Sequence, residues 1–426
     1  MKYEDFGSAV IILLMVNHSA KVKLNLAYSS TDTGVVIINI IRKYVLPPIL
    51  YFVSLSALSA EQVYFAGLSF IGDYKDMVSA APYASSIIKN KKALASYNSL
   101  IRDALYKVED DSVTFEFGLG NSKSGNALAL SIAITEEQFQ VEDTGNGYFA
   151  VKATTFGQIV LFDFTRKRII STIPFATTYT DSPTRVTEEY RSEIYKVVYY
   201  DQSKKINLVN EFLVRLKEIN YKKPFNNFNI QVRDITHTAS AEKYFQRFQV
   251  DKKVFNTRLA SQFGSYFSKA LHVPVLPYTK GQAIGGAMAM RFENADSVMF
   301  ELPKADFYVD LKLLGFNKKI LKETDHVIYP SYISGLRLSI GDVNWGDLLF
   351  SEKAQSGRVL TLSKALKVDE WNEYQNSLSS LVAEFSEQLN KPDKKWVKEK
   401  MFTKKSFKKI KKIVERLEND VFSNLR

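Results

Sequence analysis

The same order of hydrophobic patterns runs through the chain twice, and this repeat restricts the fold more than any single motif. In the first pass VYFAGLSFI (63–71) is a continuous apolar run of β-branched and aromatic residues, the pattern of a buried strand. Leu94, Tyr97, Ile101, Leu105 and Val108 then recur at helical spacing. VTFEFGL (113–119), the strictly alternating ALALSIAI (127–134), FAVKATTFGQIVLFDF (149–164) and RIISTIPF (168–175) read as strands, with a turn cluster at 143–147 and a tight basic turn at Thr165-Arg166-Lys167. Helical patterns at 184–200 and 206–219 close this half. The second pass begins with FNIQVRDI (228–235), a strand, and a helix stripe of Phe255, Leu259, Phe263, Phe267 and Leu271. MAMRFE (288–293), VMFELP (298–303), DFYVDLKLLGF (306–316), GLRLSIGD (335–342) and DLLFSE (347–352) follow as strands.

Strands that follow one another without a helix between them pair antiparallel, so the expected class is α+β rather than doubly wound. Two similar antiparallel-sheet-plus-helix domains are predicted, at 61–222 and 223–365. A C-terminal helical hairpin at 366–426 follows them. Its first helix carries Trp371, Tyr374, Leu378, Leu381, Phe385 and Leu389 on one face. Asn390-Lys391-Pro392-Asp393 breaks it, Asp393 is placed to cap the next helix, and Phe407, Ile410, Val414, Leu417 and Val421 continue at helical spacing.

The run ADFYVDLKLLGF…YISGLRLSIGDVNWGDLLFSEK (305–353), with a fainter copy in QIVLFDFTRKRIISTIPF (158–175), resembles a domain shared by several envelope proteins. These are the amino-terminal region of TolB, the curli-secretion lipoproteins, and flagellar-assembly or penicillin-binding-protein activator proteins. The resemblance covers about half of the chain after residue 60 and implies a fold and an envelope setting, with no chemical motif attached. The chain contains no cysteine, so the acylated cysteine of the lipoprotein members has no counterpart here, and disulfides, thiol nucleophiles and zinc–thiolate sites are excluded.

Residues 42–60 carry Arg42-Lys43, an apolar stretch and a small-residue end, the three parts of a secretory signal peptide. The run is about 17 residues long and contains Pro47 and Pro48, which suits a signal core better than a spanning helix of about 20. The expectation is export to the periplasm or envelope, with a mature chain starting near Ala60 or Glu61. The alternative is an uncleaved N-terminal anchor. Residues 1–35 fit neither element and are read as a spurious extension ahead of a start near Val36.

The formal charge of +11 is concentrated at one end. Residues 391–426 hold 13 basic and 5 acidic side chains, a net of +8, while the 330 residues from 61 to 390 are nearly neutral. A basic pI therefore describes the tail, and nucleic-acid binding by the body is disfavoured. Trp396, Lys404, Lys405, Lys408, Lys409, Lys411 and Lys412 form the candidate surface for an anionic phospholipid, lipopolysaccharide, cell-wall polymer or acidic partner. The plain alternative is a solvated helix face.

No catalytic, cofactor-binding or metal-binding residues are assigned. Glu323-Thr324-Asp325-His326 lacks partner ligands at metal spacing. Asp234-Ile235-Thr236-His237 reads as a strand end, and Gly118-Leu119-Gly120 with Gly125 lacks phosphate-loop spacing. There is no GxSxG. The functional expectation is a non-enzymatic binding or assembly factor of the envelope, without a cofactor. A hydrolase acting on envelope material and a nucleic-acid binder using the C-terminal helix are the rivals.

Overall fold

The first half is built on the continuous apolar run at its start, which becomes strand β1 (Glu61–Ile71). This computed structural model describes residues 61–426 except 72–73, 111–112, 118–127, 146, 205, 220–228, 279, 281–286, 292–296, 365–367, 404 and 426. The signal-peptide and start-site expectations for residues 1–60, and the glycines of the 118–125 loop, lie outside the described residues.

After β1 the chain forms helices α1 (Tyr74–Ala80), α2 (Pro82–Lys89) and α3 (Lys91–Leu105), a short strand β2 (Val113–Phe117), and then β3 (Leu128–Gly145), β4 (Tyr148–Asp163) and β5 (Arg168–Asp181). Helices α4 (Glu188–Tyr200) and α5 (Leu208–Leu216) follow. The second half opens with β6 (Ile230–His237), α6 (Ala239–Arg247), α7 (Lys252–Leu271) and the two-residue β7 (Val275–Leu276). A hairpin of β8 (Ala287–Arg291) and β9 (Ser297–Glu301) precedes β10 (Phe307–Glu323), β11 (Val327–Asp342), β12 (Leu348–Val359) and β13 (Leu362–Ser363). Helices α8 (Glu370–Gln388), α9 (Lys394–Lys400) and α10 (Ser406–Leu425) end the chain.

The class is α+β with two sheets, and the internal repeat is topological. One sheet contains the order β2-β1-β3-β4-β5, and the other runs β7-β6-β10-β11-β12. In each, the last three strands form an antiparallel meander. The first strand lies parallel to the first strand of the meander and also to the short edge strand. The sheets are thus mixed, not purely antiparallel. A strand that returns through a helical crossover emerges parallel, and both β1 and β6 are followed by one.

Burial explains the sequence alternation in β3. Leu128, Leu130, Ile132 and Ile134 face the core made with α1–α5, while Ala129 and Ala133 face the opposite side. That opposite side is closed by the β8–β9 hairpin. β8 pairs with β1 and β9 meets β5 at Arg168–Glu301, so β1, β3, β4, β5, β9 and β8 complete a ring. Met290 and Phe300 of the hairpin fill it against Tyr64, Ile71, Val160, Phe162 and Ile169. A strand covered on both faces reads as a continuous apolar run, which is the pattern of residues 63–71.

Helix α7 joins the halves. Phe255, Leu259, Phe263 and Phe267 enter the core of the second sheet. Its other side carries Ser261, Gly264, Ser265 and Ser268, all small, which allows close approach to β5. Ser265 Oγ donates to the Phe175 carbonyl at 3.3 Å, and a Cβ on Gly264 would lie 3.6 Å from Pro174. Arg258 reaches across to the buried Glu136 of β3. Burial raises the Glu136 carboxyl above its ordinary range, and the Arg258 charge opposes that shift without cancelling it.

Candidate anionic-surface site

The C-terminal helices take their positions from capping and from two apolar stripes. Asp369 caps α8 by accepting from the Asn372 amide at 3.1 Å, and Tyr374, Leu378, Leu381 and Phe385 bury its inner face. Asp393 accepts from the Lys395 amide at 2.8 Å and starts α9, as its place in the sequence predicts. The chain then runs briefly along the edge of β12, where Met401 bridges Ala354. Helix α10 follows with Ile410, Ile413, Val414 and Leu417 buried in the same core as Phe350 and Tyr374.

One buried carboxylate fixes the start of α10. Glu352 of β12 is about 4% exposed. It accepts from Thr403 Oγ1 at 2.9 Å, from Ser406 Oγ and from Lys409 Nζ. Burial alone would raise the Glu352 carboxyl, but Lys409, Ser406 and Thr403 together hold it below the ordinary range. Lys409 therefore serves the fold as a counter-charge, although its stem is half exposed. Trp396 is also engaged internally: its Nε1 donates to Glu384 at 2.7 Å and its ring meets Phe385 at 5.8 Å. Lys404 lies outside the described residues.

The other four lysines are arranged as a surface. Lys405, Lys408, Lys411 and Lys412 are all exposed, and among the described residues none pairs with a carboxylate. Lys411 and Lys394 flank the Phe407 ring at 5.7 and 5.6 Å, so α9 and α10 present one basic patch with an aromatic between them. Motif reasoning passes over Glu352, yet the sequence does signal its role. It stands between Phe350 and Ala354 on the alternation that faces the core, where a charge needs a partner.

The remaining candidates resolve into structural contacts. His237 Nε2 lies 2.7 Å from Asn256 Oδ1 and its Nδ1 lies 3.4 Å from Glu242, while Asp234 binds Lys280 at 2.7 Å. Asp234 and His237 thus have separate partners. Residues 324–326 form the β10–β11 turn, closed by Thr324 N–H donating to the Val327 carbonyl at 2.8 Å. No three His, Asp or Glu side chains converge as metal ligands among the described residues. A cavity of about 520 Å³ between the end of the first sheet and α8 is lined by Lys152, Arg358, Glu142 and Asn376. Arg358 bridges Glu142 at 3.5 Å and the wholly buried Glu373 at 3.1 Å. Burial, then the neighbouring Arg358, lowers the Lys152 ammonium below its usual range.

No helix among the described residues is long and apolar enough to cross a membrane. No family model matches the chain, and no curated protein does. Among solved structures, a minor lipoprotein from Acinetobacter baumannii is 9% identical, with a TM-score of 0.19 over 37% of this chain and 88% of that one. A hypothetical protein from Chlamydia trachomatis is 14% identical, with a TM-score of 0.20 over 46% of this chain and 99% of that one. Likeness at this level carries no argument about activity.

Proposed function

We propose that the chain is an exported envelope protein that works by binding and assembly, and that α9 and α10 dock it on an anionic lipid or lipopolysaccharide surface. The observation that carries this reading is the division of labour on α10. Ile410, Ile413, Val414 and Leu417 of its apolar stripe are consumed by the core, and Lys409 neutralises Glu352. Among the described residues, Lys405, Lys408, Lys411 and Lys412 are left exposed without counter-charges. Each lysine near an anionic membrane contributes about 1 kcal/mol, so four together decide between bound and free. The attraction is screened over about 10 Å at 0.1 M salt, which makes it salt-sensitive.

The test is sedimentation of the full mature chain with anionic and with neutral phospholipid vesicles at low and high salt. Binding to the anionic vesicles alone, lost on adding salt, is expected. Substituting Lys405, Lys408, Lys411 and Lys412 with Gln, while retaining Lys409, should abolish it with the fold unchanged. A wild-type protein that stays in the supernatant at low salt overturns the docking role. Recovery of the native protein from the cytosol overturns its place in the envelope.

A further inference from the structure

The outer face of the second sheet carries a row of positive charge that the fold does not neutralise. Lys312 of β10 stands directly opposite Arg337 of β11, and Arg337 stands directly opposite Lys353 of β12. Their neighbours Leu311, Leu313, Leu336, Leu338 and Ala354 are buried on the other face, so the three cations share one side, each partly exposed. Facing residues in adjacent strands lie about 5 Å apart, and like charges in that position destabilise a sheet. The carboxylates close by are engaged elsewhere. Arg233 Nε donates to Asp310 at 3.0 Å, and Lys280 donates to Asp234 at 2.7 Å. Among the described residues, no carboxylate forms an ion pair with any of the three cations.

We infer that this row is a binding site for an acidic polysaccharide, which crosses the strands and presents one anionic group to each cation. The charge row calls for a linear anion, and its flanks call for hydroxyl groups. Ser339 and Ser351 occupy the adjacent outward row, 3.0 Å apart, and Thr236 continues the cation row on the β6 side. At the other end Phe402, 57% exposed, donates its amide to the Lys353 carbonyl at 3.3 Å and offers a ring for the apolar face of one sugar. A single-stranded nucleic acid needs successive aromatics for successive bases. Here the Tyr308 ring is covered by the Arg233 guanidinium at 3.4 Å, and the exposed Trp345 stands in the β11–β12 turn, off the strand positions of the row. The site lies on other elements than the α10 lysines and stands or falls separately from the docking role above.

The experiment measures binding of oligogalacturonate to the full mature chain by calorimetry. Lys405, Lys408, Lys411 and Lys412 are first replaced by Gln, with Lys409 kept as the partner of Glu352, so that the patch on α10 does not contribute. Three cations at about fivefold each predict that Lys312→Gln, Arg337→Gln and Lys353→Gln together weaken binding about 100-fold. Because the row is self-repelling, the same variant should melt no lower than its parent. If the triple variant does not fold, Arg337→Gln alone is used, with an expected loss of about fivefold. Lys312→Arg with Lys353→Arg should keep the affinity within about twofold, since charge is preserved. The proposal is overturned by no binding at low salt, by a triple variant that binds within about threefold of its parent, or by tight binding confined to an oligodeoxythymidylate.

Discussion

Removing Lys409 should harm the fold more than removing both members of its ion pair. Glu352 is almost wholly buried, with Lys409 as its cationic partner and Thr403 and Ser406 as hydroxyl donors. Breaking a buried pair by deleting one partner costs about 3–5 kcal/mol, because a charge is left without compensation. Here the two hydroxyls remain and Lys409 is half solvated, so Lys409→Met should lie lower, at about 2–3 kcal/mol. Replacing both residues, as in Glu352→Met with Lys409→Met, should return stability to within about 1 kcal/mol of the parent, since no charge is left buried, and Thr403 and Ser406, though they lose their acceptor, keep the 2.6 Å bond between their own hydroxyls. Denaturant unfolding measures all three. The pH dependence follows from the direction of the Glu352 shift. Its folded value is depressed, so the pair stabilises above the unfolded carboxyl range and this contribution is lost as pH falls through the folded value. The gap between the parent and Lys409→Met should therefore close as the solution is acidified through and below the carboxylate range. A single variant within about 0.5 kcal/mol of the parent at neutral pH, or a double variant as weak as the single, refutes the reasoning.

Three further outcomes are expected. Phe300→Ala empties the ring closed by the β8–β9 hairpin and should cost about 3–5 kcal/mol, read by denaturant unfolding, with a value under about 1 kcal/mol removing the hairpin from the core. Arg258→Met leaves Glu136 buried without its counter-charge. Since that carboxyl is already raised, the variant's melting temperature should climb as pH falls from 7 towards the ordinary carboxyl range, and a flat profile contradicts the assignment. Gly341→Ala would set a Cβ 2.2 Å from the Tyr308 ring and should cost about 1–3 kcal/mol, visible as a lower midpoint in thermal unfolding.

The candidate surface is legible in the sequence only in part. The lysine run and the apolar stripe of α10 are both written at helical spacing, so periodicity alone marks Lys405, Lys408, Lys411 and Lys412 as one outward face. That Lys409 of the same run is bound to Glu352 depends on a residue 57 positions away. The cation row of the second sheet is hidden for the same reason. Lys312, Arg337 and Lys353 each occupy an ordinary outward position in their own strand, and only the pairing register sets them side by side.

Sequence by itself determined the α+β class and the order of the long strands and helices, because the periods of 2 and 3.6 are local properties of the chain. The short helices Tyr74–Ala80, Pro82–Lys89 and Ala239–Arg247 carry too few turns to declare a period. Tertiary structure alone decided what does the burying. Ala287–Arg291 and Ser297–Glu301, which precede the second meander, close the sheet of the first half, and α7 turns its Phe stripe to one sheet and its Ser/Gly side to the other. An apolar face, a strand edge or a buried carboxylate is stabilised equally by any partner of the right chemistry, wherever it stands in the chain. The one-dimensional pattern records that a partner is needed, and topology selects which one arrives.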